Sequence, residues 1–271
     1  MVAGLIDFHN HFVGGLPSPA AAKWPLLADE GALEGSLGAV KARVVSTPLE
    51  FAPGVPAPRV NDSIAALASR HGERVLGLAS VDAYAGAAAA EELARAVKAL
   101  GLRGVFVESA KDELLPDCEQ AQPLFAAAAS LGVPVFLHPV PDLPLRARFR
   151  NERFARATIN AAAILAMIGA GMFEAHRGLK VVVTALALGG LLLADRLPDG
   201  VYIDTTGTKP ATLRGSIELL GARRVVAGSD WPVVQESNLE QRLSSMLSAF
   251  GLPRIDRERV VAGNASELLR I

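Results

Sequence analysis

The sequence predicts a single α/β domain over residues 1–271 with the (β/α)8 architecture of a TIM barrel. Eight short apolar runs rich in Val, Ile and Leu alternate with longer segments of helical periodicity. Such runs are typical of parallel strands that are buried on both faces. The length of 271 residues and a hydrophobic fraction of 51% allow one large core. Eight strand–helix units within this length favour a closed barrel over a doubly wound sheet.

The predicted strands and helices alternate along the whole chain. The strands cover 4–10, 42–48, 74–81, 104–110, 133–139, 179–186, 201–207 and 224–230. The helical segments between them include 60–72, 87–101, 119–132, 160–176 and 213–221. Several of these segments end at glycine, which is common at helix C-termini. No linker or low-complexity segment divides the chain, and this indicates one domain.

The composition narrows the classes of function. A net charge of −1 provides no charge excess for binding nucleic acid or an anionic membrane. The apolar stretch 188–194 is too short to span a bilayer. Asp7, His9 and His11 interrupt the apolar N-terminus, so no signal peptide is visible. The single cysteine, Cys118, excludes an internal disulfide and fits a reducing compartment. We expect a cytoplasmic homo-oligomer that acts on a small molecule and binds neither nucleic acid nor a membrane.

Two histidines lie one residue apart at the end of the first predicted strand. Side chains alternate between the two faces of a regular strand, so His9 and His11 project to one side, together with Asp7. Phe8 and Asn10 then project to the other side. Two imidazoles at this spacing can converge on one ion at about 2.0–2.1 Å from each nitrogen. A hydrogen-bonded pair without metal is the alternative, so the decision depends on further ligands.

Further polar residues close other predicted strands at the same rim, where catalytic residues of such barrels lie. Strand five ends at His138 and strand eight at Asp230. Together with His9 and His11 they form the nitrogen and oxygen ligand set of a catalytic divalent ion. We expect one such ion, zinc, with manganese as the alternative.

Several motifs resemble, in order, the amidohydrolase-related branch of the amidohydrolase superfamily, which includes aminocarboxymuconate-semialdehyde decarboxylase and its hydrolase relatives. They are "DFHNH" (7–11), "LGVPVFLHP" (131–139), "GLKVVVTALALGG" (178–190), "VVAGSDWP" (225–232) and "GNASELL" (263–269). The resemblance covers nearly the whole chain. It implies that His9, His11, His138 and Asp230 hold a metal, and that Asp230 also takes a proton from water or substrate.

One departure from the family pattern bears on the reaction. The family usually has a histidine before the glycines after strand six, and this sequence has Ala187 there. That histidine is regarded as an acid/base in the family's decarboxylases, so its absence favours hydrolysis. We therefore expect a metal-dependent hydrolase that cleaves a lactone, a cyclic amide or a similar bond in a small, acidic substrate. The alternative is a non-oxidative decarboxylase of an aromatic or enoic acid, and the third interpretation is a barrel without catalysis.

Glu108 ends predicted strand four. Some amidohydrolases have a lysine or glutamate on this strand that bridges two metals. By that resemblance Glu108 is a candidate bridging ligand; it could instead hydrogen-bond a ligand histidine or reach solvent.

The segment after His138 contains five arginines, which pair well with planar carboxylates. A solvated helix start or a subunit contact explains most of them, and one or two could hold an acidic substrate. We take Arg146, Arg148 and Arg150 as candidates; the segment also contains Arg153 and Arg156. Trp24, Lys209 and Arg43 are weaker candidates, because the sequence does not fix the direction of their side chains.

Overall fold

The computed structural model describes residues 4–140, 143–235 and 238–271, without the side chains of residues 143–145. These residues form the (β/α)8 barrel that the sequence predicts. Its eight parallel strands are β1 Ile6–His11, β2 Ala42–Ser46, β3 in two segments Val75–Gly77 and Ala79–Ser80, β4 Val105–Glu108, β5 Val135–His138, β6 Val181–Val183, β7 Val201–Asp204 and β8 Val225–Val226.

Backbone hydrogen bonds close the barrel between its last strand and its first. Phe8 N donates to Ala227 O at 2.8 Å, and Asp230 N donates to His9 O at 2.9 Å. His11 N donates to Trp231 O at 2.8 Å. The segment after β8 is therefore fixed directly against β1, which brings Asp230 beside the two histidines.

Helices surround the described strands. They are α1 Pro19–Lys23, α2 Glu30–Leu37, α3 Ala57–His71, α4 Ala87–Lys98, α5 Gln122–Leu131, α6 Leu143–Arg148, α7 Glu152–Gly169, α8 Met172–Ala175, α9 Leu188–Leu191, α10 Pro210–Leu220, α11 Leu239–Ala249, α12 Arg254–Glu258 and α13 Asn264–Leu269. A five-residue π-helical stretch, Arg259–Gly263, joins the last two. In the described part of the chain, no helix is both long and apolar enough to cross a membrane.

The observed helices differ from their predicted bounds by a few residues, and the largest difference is at α7. The segment predicted at 160–176 is α7, which begins at Glu152, followed by the short α8. The side chain of Asn151 caps α7 by accepting from Arg153 N at 2.9 Å, and such a cap sets where a helix starts. Gly171 separates the two helices in a left-handed conformation, with φ of 67°.

The core has two layers. Inside the barrel, side chains from successive strands, including Phe8, Phe106 and Phe136, pack together and onto α13 at the N-terminal end of the strands. Outside the barrel, Val and Leu side chains of the strands pack against the surrounding helices. The barrel interior is thus filled below the C-terminal rim, and polar groups concentrate at the rim itself.

Candidate active site

The end of β1 contains a bulge that the sequence pattern did not predict. Asp7 pairs with Arg43 and Asn10 pairs with Val45, so Phe8 and His9 together face a single residue of β2. The expected alternation was therefore wrong for this strand. Phe8, His9 and His11 all point into the barrel, where His9 lies 4.7 Å from the Phe136 ring centroid. Asp7 and Asn10 both reach Arg43 instead.

The structure brings three histidines together at the C-terminal rim. His9, His11 and His138 are buried, and each offers a nitrogen such that these atoms lie within 4.8 Å of one another. Their ring centroids are 5.0, 5.2 and 5.1 Å apart. Asp230 Oδ1 lies 3.4 Å from His11 Nε2 and 3.6 Å from His9 Nε2. All four predicted ligand residues therefore lie at one place, where they could hold one divalent ion.

Hydrogen bonds orient two of the three imidazoles. His9 Nδ1 donates to Asp204 Oδ2 at 2.7 Å and lies 2.8 Å from Thr206 Oγ1. His11 Nδ1 lies 3.1 Å from Ser46 Oγ. With the Nδ1 atoms bound in this way, the two Nε2 atoms face each other at 3.2 Å. A histidine that binds a metal through one ring nitrogen usually bonds a carboxylate or hydroxyl through the other. His9 and His11 have such partners at Nδ1, so their facing Nε2 atoms are the ones that could bind a metal.

Asp204 is a residue of the candidate site that the sequence pattern did not single out. It is fully buried at the end of β7, and Oδ1 accepts from the backbone N of Ala185 and of Thr206 at 2.9 and 3.1 Å. Its other oxygen, Oδ2, accepts from His9. The available signal was an acidic residue at the end of a predicted strand, in "VYIDTTG" (201–207).

His138 provides the test of whether a metal fits here. Its Nδ1 is buried and has no hydrogen-bond partner among the described residues. An unpaired buried polar atom is costly, and a ligand bound at this cluster would relieve that cost. Burial, together with the other two histidines, holds the pKa of His138 well below its usual value. The imidazole is therefore neutral at neutral pH, as a metal ligand must be.

The other ligands titrate according to their neighbours. Burial also lowers the pKa of His11, despite the nearby carboxylate of Asp230. Burial opposes protonation of His9 as well, but Asp230 and Asp204 outweigh it and raise the pKa of His9. Burial would raise the pKa of Asp230, yet the two imidazoles lower it overall. Asp230 is therefore ionised at neutral pH and can act as an oxygen ligand or accept a proton.

The backbone at Gly228 passes very close to this cluster, which leaves little space for a side chain. A Cβ at this position would lie 3.0 Å from His9 Cβ, 3.0 Å from Thr206 Oγ1 and 3.2 Å from Asp204 Oδ2. A larger residue would require His9, Thr206 or Asp204 to shift by a few tenths of an ångström. Glycine therefore allows the segment after β8 to pass directly behind the hydrogen bond that orients His9.

A buried ion pair lies behind the cluster. Arg43 Nη1 donates to Asp7 Oδ2 and to Asn10 Oδ1, both at 2.6 Å. Ser229 Oγ donates to Asp7 Oδ2 at 2.6 Å, and Trp231 N donates to Ser229 Oγ at 3.1 Å. These bonds tie β1, β2 and the segment around Asp230 together. Arg43 is therefore structural, and its side chain points away from the cavity.

Glu108 lies outside the histidine cluster. Its Oε1 accepts from Glu50 N at 3.2 Å, and its backbone oxygen accepts from the Tyr84 hydroxyl at 3.2 Å. Burial and the nearby carboxylate of Glu50 raise the pKa of Glu108 to about 7. The structure thus gives Glu108 neither a histidine partner nor a place among the residues that line the cavity.

A cavity of about 250 Å³ opens above the cluster. Its described walls combine apolar and charged side chains. Trp24 and Phe51 stack on one side, with ring centroids 5.8 Å apart and planes 29° apart. Leu186 and Val233 add apolar surface, and the cations at the cavity are Lys23, Arg153 and Arg156. Trp24, a weak candidate from the sequence, thus lines the cavity.

The arginines proposed from the sequence do not line this cavity. Arg146 lies 3.4 Å from Glu50 Oε2, and Arg148 and Arg150 are exposed. Arg153 and Arg156, from the first turns of α7, line it instead. The choice was wrong because α7 begins at Glu152, and its first turns, rather than the preceding segment, face the site.

Comparisons with known proteins give the family. A family model described as Amidohydrolase (Amidohydro_2) matches residues 6–271. The chain belongs to the amidohydrolase family. Among curated proteins, it is similar to gamma-resorcylate decarboxylase of Rhizobium radiobacter, with 26% identity over 252 residues that cover 79% of this chain and 76% of the relative.

Solved structures share the fold of this amidohydrolase. The 5-carboxyvanillate decarboxylase from Sphingomonas paucimobilis superposes with a TM-score of 0.83 at 22% identity, covering 99% of both chains. A dihydroxybenzoic acid decarboxylase from Polaromonas sp., solved with bound manganese and the inhibitor 2-nitroresorcinol, gives 0.80 at 22% identity and covers 98% of this chain and 97% of its own.

These relatives overturn the predicted reaction. The expectation of hydrolysis was wrong, because the similar proteins are decarboxylases, one of them solved with bound manganese, and decarboxylation was the alternative. The expectation of hydrolysis rested on Ala187 in place of the family's histidine after strand six; if that position were the vacated acid/base site, its Cβ would face the cavity. Ala187 is instead fully buried among the helices, packed in the core that includes Ile164 and Leu191. Thr184 and Leu186 are the residues after β6 that line the cavity.

Proposed function

We propose that this amidohydrolase is a metal-dependent, non-oxidative decarboxylase of a small aromatic carboxylic acid. The observation that carries the proposal is the buried cluster of His9, His11 and His138, with Asp230 against it, in a chain whose relatives remove carboxylate groups. The apolar walls support an aromatic substrate, because Trp24 and Phe51 offer flat surface on which a ring can pack.

The donor set accommodates one divalent metal. Neutral imidazoles and one carboxylate suit zinc and manganese alike, and the manganese bound in the Polaromonas relative favours manganese here. When bound, the ion would hold a substrate oxygen and withdraw electron density from the scissile bond. His9, His11 and His138 would hold it, with Asp230 as the oxygen ligand.

Decarboxylation replaces a carbon–carbon bond with a carbon–hydrogen bond. A proton adds to the ring carbon that bears the carboxylate; the carbon–carbon bond then breaks, CO2 leaves, and the bonding electron pair returns to the ring. Asp230 is ionised at neutral pH, so the role assigned to it is to accept a proton from water or from the substrate and to pass that proton to the ring carbon; its carboxylate lines the cavity beside His11. The proton comes ultimately from solvent, so each turnover consumes one proton and releases one CO2.

Asp230 acts here without a histidine from strand six. The five histidines of the chain are at 9, 11, 71, 138 and 176, so no imidazole follows β6. His176 bonds Gln122 Oε1 at 2.8 Å on the helical layer, and His71 bonds Glu30 Oε1 at 3.0 Å. The proposal therefore assigns proton transfer to the carboxylate that remains.

A substrate panel tests the proposal. The protein is loaded with manganese or zinc and incubated with 2-hydroxybenzoate, 2,6-dihydroxybenzoate and 5-carboxyvanillate, and in parallel with a set of lactones. We expect CO2 release from at least one acid, dependent on metal, and none by a His138→Ala variant. Turnover of lactones without CO2 release from any acid would contradict the proposal.

A further inference from the structure

The first turns of α7 present two cations to the cavity. Arg156 is anchored by Nη1, which donates to Pro139 O at 2.7 Å directly after the ligand His138. Arg153 Nη2 donates to Gly207 O at 3.3 Å, on the loop after β7. Each guanidinium group thus has one backbone oxygen as a partner, which orients it without neutralising its charge. Arg156 also donates to Glu152 Oε1, from Nε at 3.3 Å and from Nη2 at 3.1 Å.

Two carboxylates, Glu152 and Glu50, lie near Arg156, and both are partly exposed. Glu152 Oε1 lies 3.1 Å from Arg156 Nη2, but the Glu152 side chain is 55% exposed, so solvent screens this pair. Glu50 is more distant from Arg156, at 3.8 Å. Arg153 has no ion-pair partner within the described ranges. A ligand carboxylate in the cavity would therefore meet cationic groups that are already positioned.

The charged side chains that line the cavity also favour an anionic ligand. Its described lining contains three cations, Lys23, Arg153 and Arg156, against two carboxylates, Glu152 and Asp230. A divalent ion at the histidines adds two further positive charges. One substrate carboxylate at the metal would leave positive charge unbalanced on the α7 side. A dianionic substrate would balance it more completely.

We propose that Arg153 and Arg156 form an anion clamp for a second acidic group, so that the preferred substrate is an aromatic dicarboxylate. This inference rests on the proposed function, because the first carboxylate must lie at the histidine centre. The aromatic ring would lie against Trp24 and Phe51, with the second carboxylate directed to α7. Charge-assisted, bidentate hydrogen bonds from arginine would bind that group.

Equilibrium binding of unreactive acids tests the clamp separately from catalysis. Benzoate, benzene-1,3-dicarboxylate and benzene-1,4-dicarboxylate lack the ring hydroxyl that promotes decarboxylation. Their dissociation constants for the manganese-loaded protein are measured by calorimetry. We expect at least one dicarboxylate to bind roughly 10- to 100-fold more tightly than benzoate.

Variants test whether the two arginines cause the tighter binding of the dicarboxylate. Arg153→Gln with Arg156→Gln should abolish the preference for the dicarboxylate, measured as the ratio of the benzoate and dicarboxylate dissociation constants of the same metal-loaded variant. Arg150→Gln is the matched control, because Arg150 is exposed in the same segment and does not line the cavity. Equal affinity of the wild type for benzoate and both dicarboxylates would overturn the clamp, as would a preference that survives in the double variant.

The two proposals fail in different ways. An arginine-dependent preference for a dicarboxylate, without CO2 release from any acid, would support the clamp and contradict decarboxylation. Metal-dependent CO2 release with no such preference would support decarboxylation and overturn the clamp.

Discussion

At the scale of single residues, the chemistry depends on how His9 and Asp230 face each other. Asp204 holds Nδ1 of His9, and this leaves Nε2 directed toward His11 and Asp230. Asp230 has a left-handed backbone conformation, with φ of 67°, which is rare for a residue other than glycine. Its own backbone N donates to His9 O, so the same strand that supplies a ligand also fixes the carboxylate.

The Asp230→Asn variant separates proton transfer from metal binding. The amide keeps the shape and an oxygen for the metal, but it cannot exchange a proton. We expect kcat to fall on the order of 10²–10⁴-fold, as for other general acid–base groups, with metal content partly retained. Turnover and bound metal are measured on the same preparation. Near-normal kcat in the metal-loaded variant would move the proton transfer to another group.

The Asp204→Asn variant tests the orientation of His9. An amide can present either oxygen or nitrogen to Nδ1, and it no longer fixes the tautomer by charge. We expect metal affinity to fall about 10–100-fold, the usual effect of removing a partner of a ligand histidine. Competition with a chromogenic chelator measures this affinity. Unchanged affinity would show that Thr206 alone orients the imidazole.

At the scale of elements, the bulge in β1 determines which side chains enter the barrel. It turns His9 and His11 inward while Asn10 turns outward, where Asn10 Nδ2 donates to Asp7 O at 2.8 Å and to Val44 O at 3.1 Å. Asn10 therefore satisfies carbonyls in the irregular part of the strand. Arg43 then joins Asn10 to Asp7.

Breaking this network should destabilise the fold. Arg43→Met leaves the buried carboxylate of Asp7 without its ion partner, which costs about 3–5 kcal/mol in comparable cases. For a chain of this size we expect Tm to fall on the order of 10 °C. Arg70→Met is the control, because the Arg70–Glu30 pair is exposed and should contribute less than about 1 kcal/mol. Equal shifts in the two variants would contradict the role given to the buried pair.

The sequence predicts the barrel better than it predicts the details of the site. Apolar runs and helical periodicity indicate where the strands and helices lie. The C-terminal ends of parallel strands meet at one rim of a barrel, and this places His138 and Asp230 near His9. The bulge depends on the pairing of β1 with β2, which the pattern of one strand does not contain. The direction of Ala187 depends on a 3-10 turn, Ala185–Ala187, that follows β6 immediately and packs against α7.

At the scale of the whole molecule, the metal site couples stability to pH. The pKa values of His11 and His138 are lowered by burial, so the unfolded chain binds more protons than the native state below about pH 6.5. Their contribution to stability is therefore lost as the pH falls through this region. His9 has a raised pKa and acts in the opposite sense, since its contribution is lost as the pH rises.

Thermal unfolding at two pH values tests this coupling. Glu108, with a pKa raised to about 7, and the buried Asp7, whose pKa is also raised, titrate in the same sense as His9, so a variant is needed to isolate the effect of a buried neutral histidine. In the metal-free state, we expect the Tm of the wild type, relative to that of His138→Gln, to be lower at pH 5.5 than at pH 7.5. Manganese at a hundredfold excess over its Kd should stabilise the protein by about 2.7 kcal/mol at pH 7.5 and so raise Tm. The stabilisation should be smaller at pH 5.5, because protons compete with the metal for the imidazoles. A larger stabilisation by metal at the lower pH would contradict the proposed ligands.

The most direct test of the account follows the carboxylate itself. The manganese-loaded protein is incubated in D2O with 2,6-dihydroxybenzoate or 4-hydroxybenzene-1,3-dicarboxylate labelled with ¹³C in the carboxyl group beside a hydroxyl, and the products are analysed by mass spectrometry. The account predicts labelled CO2 and one deuterium on the ring carbon that lost the carboxylate, with neither product after removal of the metal. Recovery of both labelled acids intact, from protein shown to bind them and to contain the metal, would contradict it.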